Sequence, residues 1–533
     1  MLPLSSYFSL LYLAILLPGT VLAYTVLPQK YRRAVLLLSS YAVFWLVSGK
    51  LLCYLLFSTI SVHHIGLWLE NTQLEANRLL ETAPKETRKD IRARTQQRRK
   101  KIVAFGIAVQ FGILLALKYG AFFISNFNEL ADLMKVTVKL PVPSVILPIG
   151  ISFYTMQAAS YMLDVYRENI PADRNLMRLA LYMSFFPQLM EGPICRYSET
   201  AQQLWDAPPM RWKNLMLGLQ RILWGIMKKM VVADRLNLLI TEAFDNYVHY
   251  DGFMIAAAVV CYTVQLYMDF SGTMDLVLGS GQIFGIKLPE NFQRPFFSRT
   301  IQEFWRRWHI TLGAWFRDYV FYPISLSAPI KKLPLLLQKR LGRTYGFIFS
   351  SIPALFCVWL CNGLWHGAGW NFIFFGMYHF ALILVENIME PPAVWLAKRL
   401  HINRDGILYR CMQIVRTAVL FCIGELFFRA SSLKAGFAMF KKIFTDFTLA
   451  RVKDNTFFSH GADKHDFLIV VVTLALILAV GCIQERGVSV RQWIEKRNLA
   501  VRLSLWYLLI LFIVIFGAYG TGYIPVDPIY AGF

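Results

Sequence analysis

Charge is scarce in this 533-residue chain: Asp, Glu, Lys and Arg together make up 17% of it, with 33 acids against 55 bases. Soluble domains carry about a quarter of their residues as charges, so a string of them is excluded. Cysteine is sparse too, and its eight positions (53, 195, 261, 357, 361, 411, 422 and 482) all fall in or beside apolar segments. Cys357 and Cys361 share a helix face, but no histidine or acid completes a metal set. The thiols therefore read as buried and free, with neither disulfides nor zinc. Also missing are internal repeats, low-complexity tracts and any Gly-rich phosphate loop of Walker or Rossmann type. GISFY lacks the second glycine of a nucleophile elbow. No bound cofactor is expected.

What the chain has instead is apolar length. Hydrophobic residues reach 56%, aromatics 15%, and mean hydropathy is +0.45. Runs such as SYFSLLYLAILLPGTVLAY, IVAFGIAVQFGILLALKY, FLIVVVTLALILAVGCI and LSLWYLLILFIVIFGAYG match the roughly 20 residues needed to cross about 30 Å of hydrocarbon. The sequence predicts an all-α polytopic membrane protein with about ten to twelve embedded segments, some short or broken. The first run has no basic region before it and further spans follow at once, so it reads as a helix of the mature chain rather than a signal peptide.

The formal charge of +22 suits membrane topology better than nucleic acid. Lys30, Arg32 and Arg33 follow the first span. Lys85, Arg88, Lys89, Arg92, Arg94, Arg98, Arg99, Lys100 and Lys101 crowd a segment after the third, read as a basic loop over 70–101. Two spans separate the clusters, so both lie on one face, which the positive-inside rule makes cytoplasmic; the N-terminus then lies outside. Such a loop reads as resting on anionic lipid. The expected organisation is one embedded domain over 1–533: N-terminal spans to 125, a distinct core over 140–390, and plain spans over 391–533.

In that core the apolar pattern is interrupted by LPIGISFY, SFFPQLMEGPICRY, DFSGTMD, LPENFQRPFFSRT and NGLWHGAGW. Irregular backbone at membrane depth survives where protein buries it or where it lines a wet cavity, so the core should enclose a polar site. EFWRRWHITLGAWFRDY, residues 303 to 319, is predicted as one amphipathic helix. Trp305, Trp308, His309, Leu312, Trp315, Phe316 and Tyr319 form one stripe, with Glu303, Arg306, Arg307, Gly313 and Arg317 opposite. An interfacial helix with snorkelling arginines explains all of it except His309.

His366 closes an apolar helix at a glycine-punctuated break, between Trp365 and Trp370, with Asn362 one turn earlier on the same face. Ionisable groups at such depth mark pathways or active sites, the bland alternative being a core histidine bonded to a carbonyl. Gln265, Asp269 and Thr273 stack along another helix with Asp275 close by. These acids are expected to pair with arginines at 294, 299, 306 or 307, a structural ion pair first and a proton or cation path second. His63, His64, His249, His379, His401, His460 and His465 have no comparable context. A neutral histidine in a membrane cavity can take the proton from a hydroxyl as it attacks a thioester, and basic residues at the mouth would attract a phosphorylated donor.

At these residues the chain resembles the membrane-bound O-acyltransferases, in the bacterial branch of alginate O-acetylation and D-alanyl-lipoteichoic acid transfer proteins. The resemblance rests on LPIGISFYTMQAASYMLDVYR, FFPQLMEGPICRY, YTVQLYMDFSG, PENFQRPFFSRTIQEFWRRWHITLGAWFRDYVFYP and NGLWHGAGWNFIFFGMYH, in the family's order. It implies a ring of helices around a tunnel from a cytoplasmic funnel to the outer face. His366 matches the family's near-invariant histidine and His309 its supporting one. Trp305, Trp308, Trp365, Asn362, Arg306, Arg307 and Asp269 are the candidate donor-binding or tunnel-lining residues, and Arg317 and Asp318 match a structural pair. Two departures, SGTMD for SGYSD and YPISLSAPIKKLP for a GGNR turn, mean that acceptor identity is not carried over.

The resemblance further implies a plasma-membrane enzyme that passes an acyl group, acetyl first, toward extracytoplasmic polysaccharide. The donor would be acetyl-CoA or, for D-alanyl transfer to teichoic acid, a carrier-protein thioester. The partners would be membrane lipids, a separate extracytoplasmic acyltransferase and, in the D-alanyl case, an acyl carrier protein, with no nucleic acid. The rival readings are a transporter using Asp269, Arg294 and His366, which the lack of inverted repeats disfavours, and a membrane scaffold.

Overall fold

The structure, a computed structural model, describes residues 7–136, 138–144, 146–520 and 523–526. Ser6 of the first apolar run lies outside them. Among the described residues the elements are helices, and the one pairing of extended backbone is an isolated antiparallel bridge between Phe292 and Trp308. Eight helical stretches among the described residues are long and apolar enough to cross a membrane: Gln29–Thr82, Lys85–Leu133, Gly252–Ile283, Leu333–His366, Trp370–Arg399, Ile407–Arg429, Lys464–Glu485 and Leu499–Phe516. Leu11–Val26 is a further apolar helix, shorter than a full span, so the count stands below the ten to twelve segments expected. Only 6% of the Leu499–Phe516 window is buried, leaving Leu503, Tyr507, Leu508, Leu511, Val514 and Ile515 facing outward. An apolar surface of that kind needs lipid around it. This is a multi-pass membrane protein.

Among the described residues the chain divides into two compact units, residues 7–219 with 277–289, and residues 220–276 with 290–526. In the first, the basic segment is not the loop that the sequence suggested. Helix Leu52–Thr82 runs on through it, Ala83 and Pro84 turn the chain, and helix Lys85–Leu114 begins at once. The two run antiparallel, with Ser58 donating to Gln110 at 2.6 Å and Arg99 to Gln73 at 2.9 Å. Lys, Arg, Glu and Gln are strong helix formers, so a charge-rich stretch without glycine continues the helix, and it is Pro84 that breaks it.

The same unit shows how irregular backbone is tolerated. Gly150 takes φ +70°, and a Cβ there would stand 2.0 Å from the carbonyl oxygen of Leu189, so LPIGISFY and the FFPQLMEGP break meet backbone to backbone. The Tyr7 hydroxyl donates to the Phe186 carbonyl (3.1 Å) and accepts from the Met190 amide (2.8 Å), while Ser40 Oγ accepts from the Phe186 amide (3.0 Å). Protein side chains thus satisfy groups that hydrocarbon could not.

In the second unit, helices Leu333–His366 and Trp370–Arg399 form the pair that carries the candidate histidine. A Cβ on Gly376 would lie 2.3 Å from the Trp359 carbonyl, and one on Gly363 2.5 Å from that of Phe372. Small residues at the crossing let the two backbones touch.

Candidate functional site

The 303–319 stretch is not one helix. Thr300 caps Ile301–Arg307 by accepting from the Glu303 amide (3.0 Å), and Glu303 returns a bond to the Arg299 amide (2.9 Å). The helix ends at Trp308, His309 adopts the left-handed conformation (φ 48°, ψ 51°), and Ile310–Phe316 restarts. No glycine or proline causes this break. Residues 291–293 run alongside and take over the backbone bonds, from the Gln293 amide to the Arg307 carbonyl (2.9 Å) and from the Ile310 amide to the Asn291 carbonyl (3.0 Å). A non-glycine residue in that region costs on the order of 1–3 kcal/mol, and the flanking pairing holds it there. The face assignment holds in part: Trp308, His309, Leu312, Trp315 and Phe316 are buried and Arg306, Gly313 and Arg317 are exposed, but Trp305 and Tyr319 from the one face and Glu303 and Arg307 from the other are all half-buried.

Asn291, fully buried, organises the break. Its Oδ1 accepts from the Thr311 amide (3.1 Å) and hydroxyl (3.0 Å) and lies 3.3 Å from His309 Nδ1. A backbone N–H fixes that amide atom as oxygen, an acceptor only, so the neutral His309 carries its proton on Nδ1. His309 is 3% exposed, and burial lowers its imidazole to about 3, leaving it uncharged at neutral pH. Asn291→Ala removes the shared acceptor of three donors. It is expected to lower stability by about 1–3 kcal/mol, read as a fall in melting temperature in detergent.

The depressed value of His309 has a signed consequence. Its contribution to stability is complete above the unfolded value of about 6.5 and is lost as pH falls from there toward 3, at about 1.4 kcal/mol per unit. The melting temperature should therefore fall between pH 7.5 and 5, and fall less in His309→Gln. Equal falls in the two proteins would contradict the assignment.

His366 is the last residue of Leu333–His366; Gly367 is extended and Trp370 opens the next helix. It is 6% exposed. Trp365 (5.0 Å between ring centroids), Phe428 (5.1 Å) and Phe375 (5.8 Å) meet it edge to face. Trp365 also meets His309 at 5.3 Å, and Phe270 covers His309 at 4.9 Å. One indole thus touches both imidazoles. Asn362 is buried one turn back, its Oδ1 without a hydrogen-bond partner among the described residues.

The other predicted residues sort differently. Trp305 and Trp308 belong to an aromatic cluster: Trp305 packs on Trp359 (5.0 Å) and Trp308 stacks on Phe304 (5.5 Å). The Trp305 indole donates to Nδ1 of the fully buried His379 at 3.3 Å, a histidine that seemed ordinary in the sequence. Arg306 is exposed. Arg307 bonds Glu303 (2.7 Å) and Glu485 (2.8 Å), and Arg294 joins the same Glu485 at 2.6 Å. Arg317 and Asp318 form a solvent-facing pair at 3.0 Å.

The arginine partners expected for Asp269 and Asp275 are corrected. Asp269 pairs with Lys229 (2.9 Å), which also holds Asp234 (3.0 Å) and the Val526 carbonyl (2.7 Å). Asp275 pairs with Lys228 (2.7 Å) and Arg221 (3.0 Å). Consecutive lysines in the apolar run GIMKKMVV were the available signal. Asn291, in the middle of PENF, left no comparable trace, because its role depends on a partner 18 residues away. Among the described residues no group of three His, Cys, Asp or Glu could hold a metal ion.

The sequence model of MBOAT, the membrane-bound O-acyltransferase family, matches residues 151–337. The chain is 31% identical over 440 residues to the probable alginate O-acetylase of Pseudomonas aeruginosa, covering 81% of this chain and 74% of that one. It is 29% identical over 450 residues to the peptidoglycan O-acetyltransferase of Helicobacter pylori, covering 76% and 79%. It is also 29% identical over 245 residues to the teichoic acid D-alanyltransferase of Bacillus subtilis, covering 45% and 59%. Read with the helical fold and the two buried histidines, these similarities show that the chain belongs to the membrane-bound O-acyltransferase family and is an O-acyltransferase.

Proposed function

We propose that this enzyme takes an acetyl group from acetyl-CoA at the cytoplasmic face of the plasma membrane and passes it toward a polysaccharide hydroxyl outside, with His366 as general base. The observation that carries the reading is the pair of buried histidines on one tryptophan, in a chain whose long-coverage relatives are named for O-acetylation of polymers. In the reaction, His366 accepts the hydroxyl proton as the oxygen attacks the thioester carbonyl. The C–S bond breaks, and the departing thiolate takes the proton back from the imidazolium, leaving an ester and a free thiol. His309 supports this step as a neutral, oriented ring against Trp365, and Asn362, one turn before His366, helps to position the reacting groups.

The basic clusters at 30–33 and 85–101 support a cytoplasmic assignment of that face and an outward N-terminus. The first acceptor is a hydroxyl on a separate extracytoplasmic transferase, which completes delivery to the polymer. Transfer of D-alanine from a carrier-protein thioester is the second reading, favoured by the match to the teichoic acid enzyme. Purified protein in liposomes, given acetyl-CoA or a D-alanyl carrier protein, separates the two: the reading expects thiol release from acetyl-CoA, and release from the carrier alone would reassign the donor.

A further inference from the structure

A cavity of about 330 Å³ lies in the first unit, away from both histidines in sequence and lined by other elements. Its walls come from helix Leu52–Thr82 (Gln73, Ala76, Leu80), helix Lys85–Leu114 (Arg92, Thr95, Gln96, Arg99) and the end of Ile151–Tyr166 with the residues beyond it (Tyr166, Arg167, Glu168). Three arginines and one acid give it a positive balance. Arg99 is the built part. Only 6% exposed, it donates to the Val165 carbonyl (3.1 Å), to Gln73 (2.9 Å) and to Glu168 (2.5 Å), with its guanidinium 5.6 Å from the Tyr166 ring centroid. Its Nε is buried and has no hydrogen-bond partner among the described residues. Arg92 and Arg167 line the same cavity and are exposed.

The cavity sits where three helices change character together. Helix Lys85–Leu114 turns from charged to apolar just after Lys101, helix Leu52–Thr82 turns polar near Glu70, and the apolar run 151–165 ends at Arg167. A change from apolar to charged residues of this kind is what a helix shows as it leaves hydrocarbon for the headgroup layer. Guanidinium forks arranged around a concavity suit a tetrahedral anion with several oxygens, which can accept from more than one arginine at once. The volume exceeds what a bare ion fills.

We propose that this cavity is a second binding site, for a phosphate monoester held by Arg92, Arg99 and Arg167 at the polar edge of the membrane. The phosphate is that of a lipid headgroup or of a soluble ester. The inference is independent of the acyl-transfer reading, because none of its residues belongs to the histidine site.

The test uses the full chain in detergent, with native mass spectrometry of bound phosphatidic acid, diacylglycerol as the phosphate-free control, and glycerol 3-phosphate as soluble competitor. Arg92→Gln/Arg167→Gln is the variant. Arg99 keeps its structural bonds, melting checks the fold of the variant, and acyl transfer, carried by residues outside this cavity, should be unchanged. Phosphatidic acid should bind at least tenfold more tightly than diacylglycerol, and the variant should lose at least that factor. Displacement by glycerol 3-phosphate would assign the site to soluble esters, and its failure to displace would assign it to the lipid. Equal retention of diacylglycerol, or phosphatidic acid binding unaffected by the double substitution, would overturn the proposal.

Discussion

His366→Ala is expected to lower acyl transfer by about 10²–10⁴-fold, the range that a positioned general base contributes. The loss should appear in kcat with little change in KM, because in the proposed reaction the ring acts on the proton in flight more than on donor binding. No neighbour can replace it: His309 lies across Trp365 with its Nδ1 proton committed to Asn291, and His379 is engaged with Trp305. Folding should survive, since Trp365, Phe375 and Phe428 still close the site around the vacated volume. His366→Gln, which keeps the bulk and removes the basicity, should be about as inactive as alanine. A glutamine variant with near wild-type kcat would make the residue structural.

Lys229→Met is expected to cost about 3–5 kcal/mol of stability, the price of leaving buried charge without its partner. Lys229 is 4% exposed and sits between two carboxylates, Asp234 and Asp269, themselves 5% and 2% exposed. With methionine in place, both acids remain buried beside no cation. The melting temperature in detergent should drop sharply, and yield with it. Adding Asp269→Asn to the same chain should recover part of the loss, because one of the two stranded charges is then gone. If the single variant melts like wild type, the cluster is solvated and carries no such energy.

Long apolar helices were legible because membrane hydrocarbon imposes one requirement on them, and Lys464–Glu485 and Leu499–Phe516 meet it without interruption. The histidines were legible because ionisable groups in such surroundings are few. What escaped was set by contacts distant in sequence. The break at His309 lies within WHI, where local propensity gives no sign, and comes from pairing with residues 291–293. The partners of Asp269 and Asp275 were misassigned because lysines 40 and more residues away are closer in space than the arginines that follow. The 70–101 segment was misjudged for a different reason: its polarity was read as a loop, although its residue types favour helix. Family membership decides for acyl transfer over a transport path through Asp269, Arg294 and His366, and Asp269 and Arg294 are held in ion pairs with Lys229 and Glu485.

The measurement that bears most directly on the account is the ester content of the cell envelope. It would compare a strain lacking this chain with the same strain carrying wild type or His366→Ala at equal protein level, and identify the released acid by mass. Acetate is expected in the wild-type complement and its loss, to the level of the deletion, with His366→Ala. Acetate esters that persist in the alanine variant would remove His366 from the chemistry and contradict it.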